Sequence, residues 1–378
     1  MRRRTFVRGV GGGSMLAVAG CLEREDEDDE PEEAQPEDEN TLRVVTYSSM
    51  VTGETPAGAV LAEAFEEELP DAEIEWIVPE AGIEHYAQRA RLEAEMNADV
   101  YLGLTPAELV FLDEAVSADV FERLERERLE RDGRIRADLS FGDPDDRALP
   151  IDSGYVGLVY DESVLEAPET FEDLLAEEYA GTVLAQDPRR SAPGRAFLLS
   201  TVAAYGNEFV DYWEGLREND VDVYERWTDS YVDEYLEETR PMVVSYTTDR
   251  IAANAADRSM ERHQIATPDG QGYENVEGVA VFADTGRREL AYEFVDFLLS
   301  SQIQTEIAIR NAQFPALERQ YLDLGTEFTA FARQPEQPVR FTYDELHGNL
   351  TGWLEEWGEE FGEDVIDDRP EIDDTGTD

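Results

Sequence analysis

The sequence predicts an α/β protein of two lobes with a ligand cleft between them. Three observations carry that reading. Short apolar segments of strand length alternate with amphipathic helical segments between residues 42 and 115, which is the signature of βαβ units and a largely parallel sheet. The alternation restarts near residue 154 and runs a second time, without an internal repeat. The chain then closes in helices. Small ligands favour clefts between domains, so the junction of the lobes is where a site is expected.

Residues 42–47 (LRVVTY) read as the first strand. Residues 57–69 carry Val60, Leu61, Ala64 and Phe65 at helical spacing, and residues 72–78 (AEIEWIV) alternate with period two as a strand. A helix over 83–96, a strand over 98–104 (ADVYLGL) and a helix over 106–115 follow. In the second run, 154–160 (GYVGLVY) and 182–185 are strands, and 197–205, 209–216 and 227–236 are helical. Residues 242–246 (MVVSY) form a buried-type strand that opens a helix near residue 249. A strand over 277–283 (EGVAVFA) contains Gly278, and helices cover 289–300, 302–309 and 343–357. The expected organisation is lobe 1 over 42–152, lobe 2 over 153–276, and a return to lobe 1 with the C-terminal helices over 277–357. The last stretch, 358–378, reads as an acidic tail.

The chain begins with Arg2, Arg3 and Arg4, followed by a short stretch of small and apolar residues ending in Ala19-Gly20-Cys21. Paired arginines, a short apolar segment and a small-residue cleavage site make residues 1–21 an export signal rather than a membrane span, with the arginines fitting the twin-arginine route. The ending resembles a lipobox, so Cys21 is expected to become a lipid-carrying N-terminus. It is the only cysteine, which excludes an intramolecular disulfide. Residues 22–41 are almost wholly acidic, proline or amide and read as a disordered tether. The expected place is the extracytoplasmic face of the cell membrane, held by the lipid.

The net charge is −58, and all 31 basic residues are arginine. Such a surface gives no electrostatic hold on nucleic acid or on an anionic membrane face. At a Debye length of ~30 Å in 0.01 M salt its self-repulsion is large; at molar salt the length is ~3 Å and the repulsion is screened. The composition is therefore expected to suit strong brine.

Few residues offer catalysis. His85, His263 and His347 lack metal-ligand spacing and read as surface or capping histidines; there is no Gly-x-Ser-x-Gly elbow, and no lysine for a phosphate loop. Binding has more support. Residues 187–194 (DPRRSAPG) precede a helix, with Ser191 as its N-cap and Pro193 in its first turn. Free N–H groups and the helix dipole there suit an anion. Tyr47 ends the first strand, Trp227 and Tyr231 share a helix face, and Tyr246 ends the 242–246 strand. Aromatic faces at strand ends beside a crevice can stack a heteroaromatic ring and attract a cation.

Taken together, residues 42–357 resemble the thiamine-binding proteins of ABC importers. The resemblance rests on Val45-Thr46-Tyr47-Ser48-Ser49 as first strand and turn, on residues 98–104 as third strand, and on Pro150-Ile151-Asp152-Ser153-Gly154-Tyr155 as the crossover. It is most specific at residues 187–194, similar to Asp-Pro-Arg-x-Ser-x-Pro-Gly, at Ser245-Tyr246-Thr247-Thr248, similar to Ser-Tyr-Thr-Thr, and at the closing segment Phe341 to Trp357. It implies a two-lobe periplasmic-binding-protein fold of type II. It also implies that Tyr47, Trp227 and Tyr246 line the pyrimidine and thiazolium rings, and that Gly82, Ser191 and Gly194 face the hydroxyethyl or phosphate end. Ser48 stands where the family has aspartate. Ala312, in Asn311-Ala312-Gln313-Phe314-Pro315, stands where the family stacks tryptophan, a place left for Phe314 or a nearby side chain to fill.

The implied function is extracytoplasmic binding of thiamine or its phosphate esters by a monomer. The ligand would be handed to an ABC permease and its ATPase subunits, without cofactor, metal or catalysis. The competing readings are a binding protein of the same architecture for ferric iron, a polyamine or an organophosphonate, and a secreted thiaminase-like enzyme. The last needs a cysteine nucleophile in the cleft, and the sequence has none beyond Cys21.

Overall fold

The computed structural model describes residues 40–53 and 55–367. The expected export signal, Cys21 and nearly all of the tether lie outside the described residues, as do residues 368–378. The strands are β1 (Thr41–Val45), β2 (Glu73–Ile77), β3 (Val100–Leu104), β4 (Ala148–Tyr160), β5 (Val183–Gln186), β6 (Asp222–Tyr224), β7 (Met242–Tyr246), β8 (Gln264–Ala266), β9 (Gln271–Val281), β10 (Phe314–Pro315) and β11 (Gln337–Val339). The helices are α1 (Ser48–Val51), α2 (Ala57–Glu68), α3 (Ile83–Arg91), α4 (Pro106–Ala115), α5 (Ala192–Tyr205) and α6 (Phe209–Glu218), followed by α7 (Asp249–Ala255), α8 (Arg288–Leu298), α9 (Ser301–Arg310), α10 (Gly325–Phe331), α11 (Tyr343–Leu346) and α12 (Leu350–Phe361).

One mixed sheet runs in the order β2-β1-β3-β9-β4-β7-β5-β6. Its two ends are parallel, β2-β1-β3 on one side and β7-β5-β6 on the other. Parallel pairing needs a crossover, and helices between the strands supply it. The middle is antiparallel: β9 pairs with β3 at one end, β4 pairs with β7 at the other, and β4 and β9 pair along Ala148–Val156. These two long strands join the half-sheets. β4 is buried from Ala148 to Val159, which is why it reads as an unbroken apolar run rather than an alternating one.

The first half-sheet buries Leu42, Val44, Val100 and Leu102 against Leu61 and Phe65 of α2 and Phe294, Val295 and Leu298 of α8. Phe65 and Phe294 meet edge to face at 5.3 Å. On the other side Trp213 of α6 meets Trp357 of α12 edge to face at 5.3 Å.

The structure departs from expectation in several places: α3 ends at Arg91 rather than at residue 96, and β9 begins at Gln271 rather than at residue 277. The strand expected from residue 154 begins at Ala148: Pro150 and Asp152 interrupt the apolar run in sequence but stay in the ladder beside a bulge. The segment 227–236 is helical, but Asp229–Tyr235 is π-wound, a rare form that turns up at functional sites. The closing helix is broken at Gly348, whose φ of +81° ends α11. It does not simply return to the first lobe. Tyr343 bonds Asp113 and Gly348 bonds Glu114 of α4 (2.6 Å each), whereas Trp357 packs on α6. Finally, the tail expected from 358 begins later. Trp357 and Phe361 are buried, and Ile366 pairs with the edge of β6 through Val223 O (2.8 Å) and Glu225 N–H (3.1 Å).

Candidate functional site

The junction of the half-sheets is built on one face of β4 and β9. In the antiparallel register Asp152 stands opposite Glu277 and Gly154 opposite Asn275. Residues two apart on a strand share a face, so these four positions form one patch.

Two tyrosines reach this patch from opposite sides. Tyr47 follows β1 in extended conformation and opens α1. Its ring lies on the backbone of Gly103 in β3, where a Cβ would come within 2.5 Å of the ring; Gly103 has φ +95°, so both the space and the conformation require glycine. The Tyr47 hydroxyl donates to Glu277 Oε2 at 2.8 Å and accepts from Asn311 Nδ2 at 2.6 Å. Tyr246 ends β7 and covers Gly154, where a Cβ would sit 2.7 Å from its ring and 2.2 Å from Gln313 Oε1. Burial, then the carboxylates of Glu277 and Asp152, push both hydroxyls well above the usual phenol range, so both remain neutral donors.

The carboxylates are perturbed in turn. Burial, with a further contribution from Glu108, pushes Glu277 up to about 7 against the opposing effect of the Tyr47 bond. Burial and the neighbouring Glu277 push Asp152 well above the ordinary carboxylate range. Asp152 is fully buried, and both its oxygens lack a hydrogen-bond partner.

Of the residues expected at the site, Tyr47 and Tyr246 are brought together. Trp227 is half-buried, stacks on Tyr231 at 4.6 Å and donates from Nε1 to Ser245 Oγ at 3.0 Å. Strand alternation directs Ser245 and Tyr246 to opposite faces of β7, so this bond holds Trp227 beside the face opposite Tyr246. Ser191 caps α5 as expected, its Oγ accepting from Gly194 N–H at 3.4 Å. Gly194 lies against the Gln186 carbonyl of β5, where a Cβ would be 2.5 Å away, so it serves close helix–strand packing. The arginines before α5 are engaged: Arg189 forks onto Asp187 and Arg190 meets Glu225 at 3.3 Å. Arg195 lines a crevice with Thr105, Asn275 and Arg340. Ser48 is exposed in α1, and Gly82 precedes α3 at φ +52° with open space around it.

Phe314 is buried against Tyr155 (5.3 Å) and Phe328 (5.7 Å), because its pairing with Ser153 carries it away from the patch, and Gln313 is the nearby side chain that lies beside Tyr246. One expectation fails. His263 is not a surface histidine: it is buried, with Nδ1 2.6 Å from Asp249, whose other oxygen accepts from Tyr231.

Sequence reasoning missed Asp152, Glu277, Asn311 and Gln313 as site residues. The available signal was a carboxylate inside each of two strongly apolar strands, since a buried acid needs a partner or a function.

The family model for bacterial extracellular solute-binding proteins matches residues 98–330. The thiamine-binding periplasmic protein of Escherichia coli K12 is 28% identical over 317 residues, covering 82% of this chain and 90% of that one. The protein of the same name from Haemophilus influenzae is 26% identical over 283 residues, covering 74% and 81%. Among solved structures, a periplasmic thiamin binding protein superposes with a TM-score of 0.73 at 26% identity, covering 85% of this chain and 96% of that one. The ferric binding protein of Campylobacter jejuni superposes with a TM-score of 0.67 at 18% identity, covering 84% and 98%. The fold is thus the two-lobe, type II periplasmic-binding-protein fold.

Proposed function

The chain belongs to the bacterial extracellular solute-binding protein family, and we propose that its solute is thiamine or a phosphate ester of it, held without turnover and passed to the permease and ATPase subunits of an ABC importer. The observation that carries this reading is the convergence of Tyr47 and Tyr246 on one patch of the crossing strands, each from a different half-sheet. Two neutral aromatic faces beside buried carboxylates suit a cationic heteroaromatic ring. Relatives named for thiamine support that ring class.

The start of α5 takes the hydroxyethyl or phosphate end in this reading. Ser191 keeps its hydroxyl hydrogen free to donate, Arg195 lines the adjacent crevice, and the N-terminal dipole favours negative charge. Trp227, Ser48 and Gly82 complete the set of ligand contacts in this reading. Calorimetric titration with thiamine, its monophosphate and its diphosphate in molar salt is the test. Saturable one-site binding of at least one of them, with the ligand recovered intact, is expected; no binding of any, or binding of ferric iron, a polyamine or an organophosphonate in their place, overturns it.

The protein is proposed to act as a monomer anchored by lipid on Cys21 at the extracytoplasmic face. The Arg2–Arg4 export signal and the lipobox-like end support that placement, and no helix among the described residues is long and apolar enough to cross a membrane. Cys21→Ser should release the protein from the membrane fraction or leave it unprocessed; unchanged, processed membrane association contradicts the anchor.

A further inference from the structure

Asp152 and Glu277 are direct cross-strand partners on β4 and β9, beside the bulge that follows Pro150. Side chains so placed have Cβ atoms about 4.5–5.5 Å apart, and like charges there repel. Burial removes the water that would soften the repulsion. Asp152 has no hydrogen bond at either oxygen, and the bond that Glu277 accepts comes from Tyr47. Neither forms an ion pair with an arginine among the described residues. Glu108 of α4 adds a third negative charge nearby, and its own carboxylate is committed to capping Thr105. An independent group faces the same place: Gln313, 4% exposed, has its Oε1 without a partner and lies against Gly154 and Tyr246. The patch offers acceptors and negative charge, and none of the salt bridges among the described residues supplies it a positive counterpart.

We propose that Asp152 and Glu277 are the cation-recognition element of the cleft, accepting a ligand whose ring carries a fixed positive charge and rejecting an uncharged ring of the same shape. This rests on the thiamine reading, because a thiazolium is a quaternised ring of that kind. The tyrosine faces of Tyr47 and Tyr246 attract the same charge. Buried contacts are screened by salt far less than surface ones, so the discrimination persists in brine while surface steering is lost. The groups facing the pair are Glu108 from α4, Tyr47 from the end of β1, Tyr246 from β7, and the amides of Asn311 and Gln313; none is cationic. The raised affinity of both carboxylates for protons fits a site built to hold a positive charge.

The test compares thiamine with its uncharged isostere, in which carbon replaces the thiazolium nitrogen, on the full chain in molar salt. Wild type should prefer thiamine by roughly tenfold or more, and Asp152→Asn and Glu277→Gln should each shrink that ratio by about fivefold or more. An unchanged ratio in both variants, with thiamine still bound, overturns the cation element and leaves the thiamine reading intact. If wild type binds neither compound, the thiamine reading falls. Thermal-shift measurement with N-methylpyridinium against pyridine then decides the cation element: stabilisation by the cation alone, lost in Asp152→Asn, supports it, and any other pattern overturns it. Melting of each variant without ligand checks folding, and loss of one charge from the pair should raise it.

Discussion

The Tyr47 hydroxyl donates to Glu277 across 230 positions of sequence and accepts from Asn311 at the end of α9. One oxygen thus ties the end of the first strand to a crossing strand and to a helix of the returning chain. Tyr47→Phe removes that oxygen but keeps the ring. It leaves a buried acceptor and an amide unpaired, which costs about 1–3 kcal/mol. Thermal unfolding should show the loss, and thiamine titration a weakening of several-fold. A variant as stable and as tight as wild type would show that the hydroxyl does not organise the site.

Gly154→Ala places a methyl within 2.7 Å of the Tyr246 ring and 2.2 Å of Gln313 Oε1. Tyr246 must move, so affinity should fall by roughly tenfold or more, with a destabilisation of about 1–3 kcal/mol from overpacking. Ligand titration and denaturant unfolding together check this; affinity unchanged from wild type would place Tyr246 outside the binding surface.

Burial pushes the Glu277 carboxyl up to about 7 in the fold, above its ordinary value of 4.5. A carboxylate raised by folding stabilises the folded state while protonated. Its contribution is therefore full below the unfolded value and is lost as pH rises through about 7. Ligand-free wild type should lose several degrees of melting temperature between pH 5 and pH 7.5 relative to Glu277→Gln, which lacks this titration. Parallel curves for the two proteins over that window would contradict the assignment.

Much of this was legible in sequence, and the limits have physical causes. Both ends of α4 and of β7 were read correctly because capping residues and an unbroken apolar run mark them. Tyr47 and Tyr246 stood out as aromatics at strand ends. Asp152 and Glu277 did not, because their pairing depends on the register of two strands separated by more than a hundred residues, which no local pattern encodes. The bond of Trp227 to Ser245 of β7 depends on tertiary contact in the same way. The π-wound turn after it has no period distinct from an α-helix over so few residues.

With 89 acidic residues against 31 arginines, screening should set stability. Melting temperature should climb steeply from 0.01 M to molar salt. A flat profile over that range would remove the case for a fold suited to brine.

The most direct test of the central claim is a tryptophan-fluorescence titration with thiamine in molar salt, comparing wild type with Tyr246→Ala and Trp227→Ala. Ring contacts with a cation are worth about 0.5–2 kcal/mol. Wild type should therefore bind at one saturable site, Tyr246→Ala should weaken binding by a few-fold to some tens of fold, and Trp227→Ala, on the flank of the strand, should weaken it less. Absence of thiamine binding in wild type, or equal affinity in all three proteins, would contradict the account.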